Sequence, residues 1–196
     1  GRILVSVVLS EVIKEAQNLG DDEAAKKYLE RYGDVAREVG KKKDEAESYE
    51  KLGDLEFNAD NTDKAFELYD KALALRKGSG KEWWTIDYIA SARWALGEYG
   101  KAAEVYGQEI ESLRTLEGEN KEVKVVFPEG WTPTEKEKAE RLEKEKQFAL
   151  SDKMVLRSSL ASALFSLAQI RIQQGNYGAA NDTLGEVDKL LARMND

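Results

Sequence analysis

The chain has no cysteine and no histidine among its 196 residues. Without cysteine it has no disulfides, thiol nucleophiles or thiolate metal sites. Without histidine it lacks the commonest general base and the commonest metal ligand. Most familiar active sites cannot be assembled from what remains. Carboxylate pairs can do acid–base work, yet no Asp or Glu pair stands out from an acidic, solvated background, and no glycine-rich phosphate loop follows a strand. We therefore expect no catalysis, no cofactor and no bound metal. No apolar run is long enough to span a membrane. The opening Ile3-Leu4-Val5-Ser6-Val7-Val8-Leu9 runs straight into Glu11-Val12-Ile13-Lys14 without a small-residue cleavage site, and reads as the start of a first helix rather than as a signal peptide. Gly1 in place of Met is read as the mark of a processed or excised fragment.

Proline is also scarce, at two residues, while hydrophobic residues make up 41% and charged residues 35%. That balance suits a soluble, helix-rich protein, and the length allows one domain with a continuous core. We expect an intracellular chain, with cytoplasm and nucleus not distinguished. The net charge of −8 disfavours a nucleic-acid surface, which needs clustered Lys and Arg, and favours a basic or neutral partner. Residues 44–70 carry ten Asp or Glu against only Lys51 and Lys64, so this stretch equals the charge of the whole chain.

Self-similarity is the most informative feature. Gly97-Glu98-Tyr99-Gly100-Lys101-Ala102-Ala103 returns as Gly175-Asn176-Tyr177-Gly178-Ala179-Ala180-Asn181, each time between two stretches of helical period. A glycine permits the tight turn, and the aromatic and alanine then pack the second helix on the first. The segment from Tyr49 through Leu52, Gly53 and Phe57 to Ala65, Tyr69 and Ala72 closely resembles the tetratricopeptide repeat, a helical hairpin of about 34 residues. Gly53 and Ala65 are expected to be small because the two helices cross closely there.

Carried forward, the frame places Ile86, Ile89, Ala90, Ala102 and Tyr106 in a third unit, and Leu164, Leu167, Ala168, Ala180 and Leu184 in a fourth. Carried backward it gives Leu9, Val12, Ile13, Ala25 and Leu29, where bulky Ile13 departs from the pattern. The resemblance implies an all-α, right-handed superhelix of about four hairpins, at about 3–39, 44–79, 82–116 and 153–194, in a single domain over 1–196. The wide spacing between Ala102 and Ala180 requires an insertion at about 117–151. It begins with an extended loop holding Pro128 and Pro133, after which Thr134 with Glu137 forms a capping-box signature for a further helix. No glycine or proline decides whether that helix stops at Ser151 or runs on into the fourth hairpin.

In such arrays the first helices of the hairpins line a concave groove. The family's groove positions fall here on Lys14 and Gln17, then Glu47, Glu50, Asp54, Phe57 and Asn58. In the third hairpin they fall on Trp84, Asp87, Ser91 and Trp94, and in the fourth on Ser162, Phe165, Gln169 and Ile172. The resemblance thus implies a scaffold that holds a protein segment with basic and apolar residues, in this groove or through the insertion. The Lys, Asn and Arg cluster with which some relatives grip acidic chaperone tails is missing, since Glu50, Asp54, Trp84 and Tyr88 stand there. Each residue also has a plainer reading. Trp83, Trp84, Trp94 and Phe165 can pack between hairpins, and Glu47, Glu50 and Asp54 can form a solvated face. Phe127 and Trp131 in the inserted loop can dock on the protein itself or on a partner. A second function class is self-association into a homo-oligomer or larger assembly, since the Val7-Val8-Leu9 end lacks a polar cap.

Overall fold

A computed structural model describes residues 2–118, 127 and 131–195. Among these there are eight helices and no strand: α1 (Arg2–Asn18), α2 (Asp22–Glu38), α3 (Lys42–Asn58), α4 (Thr62–Arg76), α5 (Glu82–Ala95), α6 (Tyr99–Gly118), α7 (Glu135–Gln173) and α8 (Tyr177–Asn195). None of these helices is long and apolar enough to cross a membrane. The chain forms two compact units, Gly1–Val105 and Tyr106–Asp196, whose boundary falls within α6.

The recurring glycine phrase closes helical hairpins. Gly97 and Gly175 adopt φ of 72° and 74°, a left-handed conformation that a Cβ would penalise. The next residue closes the preceding helix in each case: the Glu98 N–H donates to the Arg93 carbonyl at 3.0 Å, and the Asn176 N–H to the Arg171 carbonyl at 2.8 Å. These bonds satisfy carbonyls that a helix end leaves without partners.

In the first unit α1 packs on α2, α2 on α3, α3 on α4, and α5 on both α4 and α3. Ile13, Leu29, Leu52 and Leu68 form one core cluster, flanked by Tyr28, Tyr32, Tyr49 and Leu55. Ile13, the residue that breaks the repeat pattern, is thus a core residue only 3% exposed. A second cluster joins Ala65, Tyr69 and Ala92, with Phe57, Phe66, Tyr88 and Ile89 against it. The expected close crossing of α3 and α4 is present: a Cβ on Gly53 would lie 2.7 Å from Cδ1 of Tyr69. A second close approach, between α2 and α3, lies outside the repeat frame, where a Cβ on Gly33 would lie 3.3 Å from Cβ of Ser48.

In the second unit α8 packs along the later half of α7, burying Leu160, Leu164, Leu167, Ile170, Val187 and Leu190. The helix question left open by the sequence is settled, because α7 runs unbroken through Ser151 for 39 residues. It opens with the expected capping box: the Glu137 N–H donates to the Thr134 hydroxyl, and the Thr134 N–H donates to the Glu137 carboxylate at 2.8 Å. From Glu135 to Ser159 no side chain of α7 is buried. Lys124–Val126 and Pro128–Gly130 of the inserted loop lie outside the described residues.

Candidate functional site

The acidic stretch 44–70 folds into α3 and α4, and most of its carboxylates are met by cations, some from outside the stretch and two, Lys51 and Lys64, from within it. Asp44 pairs with Lys41, Glu45 with Arg37, Glu47 with Lys51, Glu56 with Lys26 and Lys64, and Glu67 with Lys71. Glu50 makes the most elaborate of these contacts. Its carboxylate accepts Nε of Arg76 at 2.6 Å and Nη2 at 2.7 Å, a bidentate fork, and also accepts the Thr85 hydroxyl. Glu50 is 1% exposed, Arg76 5% and Thr85 0%. This triad ties α3 to α4 and α5 through groups that water does not reach. Glu50 therefore leaves the set of side chains that a partner can touch.

Asp54 and Asp87 are different. Asp54 is half-buried and accepts the Tyr69 hydroxyl at 2.8 Å. Burial pushes its carboxyl above the usual range against the pull of that hydrogen bond, and the charges of Glu50 and Asp87 raise it further. Asp87 keeps contact with solvent, yet the protein crowded around it pushes its carboxyl up as well. Among the described residues no cation pairs with either. Tyr88 lies amid this field: its ring stacks on Tyr69 with centroids 5.8 Å apart, and its phenol is pushed up to about 12, by burial first and then by Asp54, Glu50, Glu47 and Asp87.

Trp84, one helical turn before Asp87 and Tyr88 on α5, is 43% exposed. Its ring stacks on Trp83 with centroids 5.1 Å apart and has the Arg76 guanidinium 5.9 Å from it. The result is a partly exposed patch of two uncompensated carboxylates with Trp84 and Tyr88, supported from beneath by the Glu50–Arg76–Thr85 triad.

The remaining candidates divide clearly. Phe57 packs against the Ala65–Tyr69–Ala92 cluster, so its ring serves the core. Trp94 is half-buried, while Lys14, Gln17, Asn58 and Ser91 are exposed on the first unit. On α7 of the second unit, Phe165 is 49% and Ile172 42% exposed, Ser162 is exposed and Gln169 half-buried. In the insertion Phe127 is half-buried and Trp131 is 55% exposed. Sequence reasoning missed Arg76, Thr85 and Tyr69 as organisers of the site. Their partners lie 26, 35 and 15 residues away, and no local spacing connects them. No group of three or more potential metal ligands occurs among the described residues.

Residues 46–78 match the family described as tetratricopeptide repeat. Residues 46–78 thus carry a tetratricopeptide repeat. The match covers α3 and α4 almost from end to end, with Gly53 and Tyr69 at their crossing. Among solved structures, BtubC (BKLC) from P. vanneervenii is 12% identical with a TM-score of 0.67, covering 100% of this chain and 66% of its own length. This chain thus spans just under two thirds of that protein, and the likeness is one of fold. A structure of MamA, from residue 41 to the end, from Desulfovibrio magneticus RS-1 is 13% identical with a TM-score of 0.43, covering 98% of both chains. No curated protein matches the chain. Tetratricopeptide repeats are protein-interaction scaffolds.

Proposed function

We propose that this tetratricopeptide-repeat protein is a non-catalytic scaffold whose first unit holds a protein segment carrying Lys or Arg beside an apolar residue. The observation that carries this reading is the pair Asp54 and Asp87, two carboxylates raised by their surroundings and, among the described residues, left without a cation beside the exposed ring of Trp84. A cationic side chain arriving there would supply the missing charge, while Trp84 and Tyr88 offer apolar surface to its neighbours. Trp94 and Glu47, on the same two helices, extend the surface.

The experiment is selection from a random peptide library, followed by affinity measurements on the enriched sequences. Lys or Arg flanked by apolar residues should be enriched, and Asp54→Asn with Asp87→Asn should weaken binding about tenfold. Because both carboxyls titrate above the ordinary carboxylate range, affinity should begin to fall at a correspondingly higher pH as the solution is acidified. Enrichment of acidic peptides, or equal affinity in the double variant, would sink the proposal.

A second reading rests on α7. Phe148, Leu150, Met154 and Val155 are 68%, 59%, 46% and 46% exposed along its unpacked half. Such apolar exposure on a solvated helix favours pairing with another copy. Light scattering across a hundredfold range of concentration, roughly the span over which a weak dimer changes population, distinguishes the two. A constant monomer mass removes the self-association reading and leaves the first untouched.

A further inference from the structure

The second unit contains a cleft of about 170 Å³ between the end of α6, the middle of α7 and the later half of α8. Its floor is apolar, made by Leu160, Leu164 and Leu190, which are 5%, 4% and 5% exposed. Its rim is charged, and the two acids of that rim are already engaged. Glu186 is paired with Arg114. Glu117 accepts Nε of Arg157 at 3.0 Å, and the same guanidinium donates through Nη1 to the Arg193 carbonyl at 3.2 Å, which pins the end of α8 to α7.

Two rim cations, Lys189 and Arg193, remain. They stand one helical turn apart on α8, so they share a face. Neither side chain has a hydrogen bond or an acidic partner among the described residues. A leucine floor beneath two unpaired cations is complementary to an apolar side chain that carries a carboxylate close by.

We propose that this cleft binds the C-terminal end of a peptide, with an apolar last side chain of leucine size on the three leucines and the terminal carboxylate between Lys189 and Arg193. The cleft is built from α6, α7 and α8 within the second unit, whereas the acidic patch belongs to α3 and α5 of the first, and the cleft takes a ligand of opposite sign. The chain thereby offers two peptide sites with non-competing ligands. The volume admits one such side chain and excludes a folded partner element. The site reads the end of a chain by charge and shape together.

The test uses the whole chain and a fluorescein-labelled six-residue peptide of Gly and Ser ending in Leu with a free carboxylate. Fluorescence anisotropy should show saturable binding, weakened about tenfold when the end is amidated, when the last Leu is replaced by Ser, or when Lys189→Gln and Arg193→Gln are combined. Methyl resonances of Leu160, Leu164 and Leu190 should shift on addition of peptide. The two peptide controls need no substitution in the protein, so a folding defect cannot imitate their outcome. Binding should persist in the Asp54→Asn, Asp87→Asn variant, which separates a failure here from a failure of the acidic patch. Absence of saturable binding, retained affinity for the amide, or shifts confined to methyls elsewhere would overturn the proposal.

Discussion

At the scale of single residues, two acids that look alike in sequence do opposite work. Glu50 is a structural anion: removing its carboxylate leaves the Arg76 guanidinium buried without a counter-charge. Glu50→Ala should therefore cost about 3–5 kcal/mol in urea unfolding, the usual penalty for breaking a buried pair from one side. Asp54→Asn should cost far less, because the group is half-buried and already raised in pKa. Charge reversal at Glu50 thus reads stability rather than recognition, and Asp54 with Asp87 is the pair that tests binding. Glu56 supplies the pH dependence of the same region. Its carboxyl is held down to about 2, foremost by the hydrogen bond from Lys64, against burial, with Asn61 and Lys26 adding to the effect. A depressed acid stabilises the fold fully above its usual value of 4.5 and loses that contribution as the pH falls towards 2. Lys64 is largely exposed, so screening reduces the effect. Between about pH 5 and 2 the native chain should lose on the order of 1–2 kcal/mol more stability than Glu56→Gln.

At the scale of elements, α7 is one helix with two physical regimes. Its later half buries Leu160, Leu164, Leu167 and Ile170 and is held by packing. Its earlier half buries no side chain and depends on local interactions: the capping box and i,i+3 or i,i+4 ion pairs such as Lys138–Glu135 and Arg141–Glu145. Removing the cap in Thr134→Ala should fray the first turns at a local cost of about 1 kcal/mol. Amide exchange should quicken from Glu135 to about Leu142 and stay slow from Leu160 to Ile170, with the global midpoint unchanged. Unchanged exchange throughout the first turns would show that something besides the cap holds them.

At the scale of the whole molecule, the net charge of −8 gives long-range attraction for a basic segment before contact is made. The effect should appear in the association rate. Raising salt from about 20 to about 300 mM should slow association of the selected basic peptide about tenfold and change its dissociation little. Equal slowing of both steps would point to a conformational cause instead of steering.

The sequence alone determined the helices, because glycine turns, apolar period and the Thr134–Glu137 cap are local signals that act within one or two turns of chain. It determined the repeat for the same reason, since Gly53, Ala65 and Tyr69 meet at a spacing fixed by hairpin geometry. It also determined that the chain is acidic around 44–70. What it left undecided was which of those acids carry free charge. Ion pairing depends on residues brought together from 26 or 35 positions away, and no periodicity encodes the approach of Arg76 and Thr85 to Glu50. Only the tertiary structure buried Glu50, met Glu56 with two lysines, and left Asp54 and Asp87 without a cation among the described residues. The leucine-floored cleft is likewise legible only there, because Leu160, Lys189 and Arg193 acquire a common purpose once α8 lies along α7.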